Sequence, residues 1–117
     1  MIVGVGIDVV DIARLGERLE RTPALLDRVF TAADRDLPLQ SLAARFAAKE
    51  AVGKALMTPG DLPWQGVEVT KGRHGEPVLA ISGRVAERAE ELGADRLHIS
   101  LSHDGGIATA IVVAETA

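Results

Sequence analysis

The sequence predicts an α+β fold with a mostly antiparallel sheet packed against a long helix, and three stretches carry that prediction. "IVGVGIDVV" near the start is short and β-branched, and reads as a strand. "RFAAKEAVGKAL", residues 45–56, has the composition of a helix. "LHISLS" and "IATAIVVA" flank "HDGG", a strong hairpin signal.

Along the first strand Val3, Val5, Ile7 and Val9 face one way, and Gly4, Gly6 and Asp8 face the other. The second side carries a carboxylate beside two residues without side chains, which leaves room for a ligand. The plainer role for Asp8 is to cap the next helix. "GVGIDV" is not a dinucleotide loop, because Val9 stands where the third glycine would be. Asp11 or a neighbour starts a helix that runs to about Arg21 and is ended by "RTP". Ile12, Leu15 and Leu19 line one face of it, while Arg14, Arg18 and Arg21 fall within about 60° of each other on another. Thr22–Pro23 and the capping-box-like Thr31–Asp34 open two short helical pieces. After Pro38, Ser41 can cap the long helix, and "TPG" at 58–60 stops it. "VEVT" and "VLAIS" are strands joined by the turn-rich "KGRHGEP". Ser82 to Leu92 is amphipathic, with Val85, Ala89 and Leu92 on one side and Gly93 at its end.

A chain of 117 residues is expected to form one domain, residues 1–117, without repeat, linker or low-complexity stretch. It has no cysteine, so nothing depends on disulfides, thiolates or zinc–sulfur sites. No basic segment precedes the apolar start, and no apolar run approaches the roughly 20 residues of a membrane span. A cytoplasmic protein without membrane contact is expected. A net charge of −4 argues against a general nucleic-acid binder. Of the thirteen basic residues ten are arginine, yet two of the three lysines, Lys49 and Lys54, lie five apart. That clustering hints that a compact point charge is wanted there.

Helical periodicity sets Glu50 on the side of Phe46, Gly53 and Met57, with Leu42 close by. A carboxylate on an apolar stripe loses hydration and needs compensation. Lys54, four residues on, is an obvious partner, and an isolated pair of this kind is usually an exposed one. Asp8 supplies a second carboxylate on a strand that must pack near this helix. Two carboxylates with few other ligands suit a hard, partly hydrated cation such as Mg2+, which completes its shell with phosphate oxygens. Lys54 beside that ion becomes a phosphate contact. "SHD" at 102–104 is not a hydrolase triad, because neighbours on a strand point to opposite faces. His103 is then either a solvated hairpin residue or an anion contact. His74 and His98 read as surface residues, and Trp64 as a core or interface anchor.

"GVGIDVVDIARL", "RFAAKEAVGKAL" and "SLSHDGGIATAIVV" together resemble the three signature blocks of the short 4′-phosphopantetheinyl transferases, the holo-acyl-carrier-protein synthases. The blocks come in the expected order and spacing across nearly the whole chain. The resemblance implies the single-copy fold of that family. It also implies transfer of the phosphopantetheine arm of coenzyme A to a serine of an acyl carrier protein, with adenosine 3′,5′-bisphosphate released. Asp8 and Glu50 would bind Mg2+, Lys54 would contact the diphosphate, and Glu50 and Lys54 would be the catalytic pair. His103 and Arg45 would lie near the nucleotide end, with Gly75 and Pro77 along the cofactor groove. The general base is left open between Glu50 and a metal-bound water. A homotrimer with a site at each interface is implied, since longer relatives carry two similar halves and this chain one. Arg14 falls on the family's arginine in the first block, so the Arg14, Arg18 and Arg21 stripe is the expected contact for an acidic carrier protein. The alternative is a non-catalytic module that binds coenzyme A or a nucleotide and regulates a partner.

Overall fold

A computed structural model describes residues 1–58 and 63–117. The β-branched opening forms β1 (Ile2–Asp11), followed by α1 (Ile12–Arg21), the short α2 (Ala24–Val29) and the long α3 (Leu39–Ala55). A 3₁₀ turn at Trp64–Gly66 leads into β2 (Val67–Lys71) and β3 (Pro77–Ile81). Then come α4 (Gly83–Glu91), β4 (Arg96–Asp104) and β5 (Ile107–Glu115). Every strand pairing is antiparallel: β1, β5 and β4 form one sheet in that order, and β2 with β3 another. The "HDGG" hairpin turns at Gly105 and Gly106, with φ of 57° and 80°, the left-handed values a tight two-residue turn requires. The expected α+β class, with an antiparallel sheet against a long helix, is what forms.

Helix α3 runs through the middle of the molecule. Alanines at 43, 44, 47, 48, 51 and 55 are buried, as are Leu42, Phe46, Lys49 and Val52. A helix enclosed on most sides has little amphipathicity, which corrects the expected apolar stripe. Glu50 lies on the narrow open strip of α3, next to the half-buried Gly53 and the exposed Lys54, and Met57 lies beyond the helix, exposed.

The glycine face of β1 is a second correction. A Cβ built on Gly4 would fall on the carbonyl of Ala55, and one on Gly6 on the carbonyl of Ala51. The space left by the missing side chains is filled by the backbone of α3, not held open for a ligand. The same inner face of the sheet continues through Ala108, Ala110, Val112 and Ala114 of β5, all buried. Val5, Ile7 and Val9 of β1, with Ile107 and Ile111 of β5, lie on the outer face and are exposed.

Smaller differences concern caps. Pro38 stands at the N-cap of α3, three residues before Ser41, because its fixed φ suits the approach to a first turn. Thr31 and Asp34 form no capping box: the Thr31 hydroxyl donates to Asp34 Oδ2 at 3.2 Å, side chain to side chain, in a turn that opens no helix. The end of α3 is sealed before "TPG": Arg88 of α4 donates Nε to the Leu56 carbonyl and Nη2 to that of Met57, both at 3.0 Å. Pro59 and Gly60, in the stop expected at 58–60, lie outside the described residues.

Two glycines separate backbone contact from ordinary packing. Gly6→Ala must push strand from helix and should cost about 3 kcal/mol or more in urea unfolding. Gly16→Ala in α1 meets only the tip of the exposed Leu39 side chain, at 2.9 Å, and should be neutral or stabilising.

Candidate functional site

A cleft of about 420 Å³ opens where β1, α1 and α3 meet. Asp8 enters it from the inner face of β1, two residues past Gly6, where the close contact with α3 has ended. Phe46, Glu50 and Lys54 enter from α3 at successive four-residue steps, on one side of the helix. Arg14 and Arg18 complete the wall from α1. Asp11 turns the chain from strand to helix, accepting a bond from the Arg14 backbone N–H at 3.0 Å. The cap expected of Asp8 thus belongs to Asp11, and Asp8 is left for the cleft.

Lys54 does not pair with Glu50. Its Nζ donates to Asp8 Oδ1 at 3.2 Å and to the Ile7 carbonyl at 2.9 Å, bridging α3 to β1. Arg18 lies over the Phe46 ring, 5.9 Å from its centroid. Half-burial, and then the nearby Asp8 charge, raise the pKa of Glu50, while Lys54 and Arg18 oppose the rise. Two carboxylates thus feel each other's charge across a cleft rimmed with cations. No group of three or more histidine, cysteine, aspartate or glutamate residues with metal-site geometry occurs among the described residues. Asp8 and Glu50 therefore offer a two-carboxylate donor set, the kind that suits a hard cation keeping water or phosphate in its remaining positions.

Other residues singled out in the sequence lie elsewhere. His103 shares the inner face with Asp8, but on β4, with β5 between, about 10 Å across the sheet. Ser102 faces outward with Thr109, so the register rules out a triad. Gly75, with φ of 80°, lies in the β2–β3 connection, and Pro77 opens β3. Neither lines the cleft. Arg45 is turned inward, with Nε 3.1 Å from Oδ1 of the buried Asp34. Arg21 lies further along α1, lining with Arg18 and Arg28 a second hollow of about 390 Å³. His98 is on the outer face, with Nε2 2.6 Å from Glu115 Oε1. Trp64 packs edge-on against Phe46, centroids 5.4 Å apart, as a core anchor.

Lys49 has a role that sequence reasoning only brushed. It is 1% exposed and donates to the carbonyls of Trp64 and Val67, fastening α3 to the entry of β2. Burial lowers its pKa to about 8, against the pull of Asp34 and Glu68 and with the help of Arg45. The Thr31 hydroxyl lies 3.2 Å from Asp34 and 3.1 Å from Glu68, linking the two acids. The signal in the sequence was the lysine pair itself, 49 and 54, in an arginine-rich chain.

The chain belongs to the 4′-phosphopantetheinyl transferase superfamily, whose family model matches residues 4–112. Among its relatives, the holo-[acyl-carrier-protein] synthase of Clavibacter michiganensis subsp. michiganensis is 54% identical over 115 residues, covering 98% of this chain and 97% of that one. The enzyme of the same name from the Arthrobacter strain FB24 is 55% identical, covering 98% and 99%. The crystal structure of the Neisseria meningitidis synthase superposes with a TM-score of 0.89 at 30% identity, over 99% of this chain and 100% of that one. The Helicobacter pylori synthase, crystallised in complex with coenzyme A, superposes with a TM-score of 0.82 at 30% identity, over 95% and 99%.

Lys49 should be visible in the pH dependence of stability. A lysine whose folded pKa lies below its unfolded value costs stability while charged, and the cost is relieved as pH rises from the folded to the unfolded value. Without tyrosine or cysteine, few other groups titrate there. Urea unfolding between pH 8 and 10 should show a rising contribution, at most about 1.4 kcal/mol per pH unit, that Lys49→Met removes.

Proposed function

We propose that this chain transfers the 4′-phosphopantetheine group of coenzyme A to a serine hydroxyl of an acyl carrier protein, releasing adenosine 3′,5′-bisphosphate. It acts as a single transferase domain, residues 1–117, in the cytoplasm. The observation that carries the proposal is the meeting of Asp8, Glu50 and Lys54 in one arginine-flanked cleft. Relatives named for this activity, one of them crystallised with coenzyme A, support the choice of substrates.

In the reaction the serine oxygen bonds to the phosphorus that carries pantetheine. The bridging P–O bond breaks, and its oxygen leaves with adenosine 3′,5′-bisphosphate. Asp8 and Glu50 are the residues that would hold Mg2+, which when bound draws charge off the diphosphate. Lys54 lies beside them and supplies a further positive charge to the diphosphate. In the metal-free cleft, burial and the Asp8 charge raise the pKa of Glu50, a repulsion that a bound cation would relieve. Arg14 and Arg18 in the wall, continued by Arg21, form a basic stripe leading to the cleft, suited to an acidic carrier arriving on a chain of net charge −4.

The assembly proposed is a homotrimer with a site at each interface. The outer face of the sheet supports it: Val5, Ile7 and Val9 are 54%, 58% and 60% exposed, a run of β-branched side chains that the described residues leave uncovered. His103, Arg45, Gly75 and Pro77 do not line the acid cleft of their own chain. If they bind the nucleotide and the groove, a neighbouring copy can bring them to it.

The decisive experiment incubates the protein with coenzyme A, Mg2+ and an apo carrier protein, and weighs the carrier. A mass gain of one phosphopantetheine is expected; none with any carrier from the same cell would favour the non-catalytic module. Asp8→Ala and Glu50→Ala should each slow transfer on the order of 10²–10³-fold with the fold intact. The double variant should be little worse, because the two act as a unit.

Assembly has its own test. Ile7→Asp puts a charge on the outer face without touching the cleft side chains. Light scattering should then report a folded monomer with little activity per chain, whereas an active monomer would refute the shared site.

A further inference from the structure

Lys54 is held in a specific place. Its ammonium is fixed from two sides, by Asp8 Oδ1 at 3.2 Å and by the Ile7 carbonyl at 2.9 Å. Spacing on the helix offers it Glu50, yet it reaches past that residue to β1. Among the described residues, this is the one ion pair made by either cleft carboxylate. The other cations of the wall are engaged differently: Arg18 lies over Phe46, and Arg14 lines the cleft from α1. The Lys54 side chain is 54% exposed, so it can swing away without opening the core, while Asp8, at 18%, cannot follow it.

We propose that the Lys54 ammonium and a divalent cation compete for the Asp8 carboxylate, so that metal binding and the turning of Lys54 toward the diphosphate are one coupled event. The proposal rests on the metal-binding role given above to Asp8 and Glu50. Two positive centres on one carboxylate repel each other strongly in a partly desolvated cleft. A diphosphate entering from the solvent side offers the ammonium a better anion than the one it gives up. Lys54 therefore acts against the metal in one state and with the substrate in the other. Its removal has effects of opposite sign: tighter metal, weaker coenzyme A. A simple phosphate contact would weaken coenzyme A and leave the metal unchanged, and a purely structural lysine would loosen both.

The test titrates the full-length chain with Mn2+, read by water-proton relaxation at fixed ionic strength, with displacement by Mg2+ to identify the shared site. Circular dichroism checks the fold of each variant. Lys54→Met and Lys54→Gln should bind Mn2+ about fivefold more tightly or better. Lys54→Arg, which keeps the charge, should stay near wild type. Coenzyme A, measured without metal by calorimetry, should bind Lys54→Met about tenfold more weakly. Equal or weaker Mn2+ binding in Lys54→Met, with binding lost in Asp8→Asn and Glu50→Gln, would overturn the competition and leave the metal site standing. If Asp8→Asn and Glu50→Gln bind Mn2+ like wild type, the carboxylates are not the site, and both ideas fall together.

Discussion

The close approach of β1 to α3 is the constraint on which the site depends. Two strand residues advance about 6.7 Å and four helical residues about 6.0 Å, so the two elements stay in step as they run past each other. Gly4 rests against Ala55 and Gly6 against Ala51. Asp8 is the next residue on that face and the first whose side chain extends beyond a hydrogen. It emerges where the contact ends, within reach of the open strip of α3 that carries Glu50 and Lys54. A side chain on either glycine would lift the strand and carry Asp8 away from its partners. The alanines of β5 and α3 serve the same end, because a central helix can lie this near a sheet only if the facing residues are small.

Helix α3 divides its charges by direction. Lys49 and Lys54 are five residues apart, about 140° around the axis. One points into the core, where two carbonyls and the charges of Asp34 and Glu68 make its burial tolerable. The other points to the cleft, half in water and paired with Asp8. The buried lysine fixes the rotation of the helix, and that rotation sets which residues face the cleft. Structural and functional charge thus share one short motif without sharing an environment.

The cleft is held at some cost to the fold. A carboxylate whose pKa is raised by folding destabilises the native state once the pH passes its unfolded value, and Glu50 is in that position beside Asp8. Lys54 and Arg18 offset part of the repulsion. The exposed β-branched face of the sheet is a second feature that stability of an isolated chain does not call for. Both features make sense if the chain binds a cation in the cleft and meets further copies of itself across the sheet.

Much of this was legible from residue pattern alone. Alternation set the strands, Gly105–Gly106 set the closing hairpin, and the order of motifs set the family, because these signals are local and survive without knowledge of packing. Asp8, Glu50 and Lys54 were legible as candidates for the same reason: charged residues stand out where apolar ones are expected. What they touch was not. Spacing paired Lys54 with Glu50, and only the placement of β1 revealed Asp8 and the Ile7 carbonyl as its partners. The glycines suggested space, and the helix that fills it is some fifty residues away in the chain. Arg45 and Lys49 both turn inward, which spacing along the helix could not show, because their counter-charges come from the turn at 31–34 and from β2. The sequence determined which residues could do chemistry; contacts between distant segments decided which of them meet.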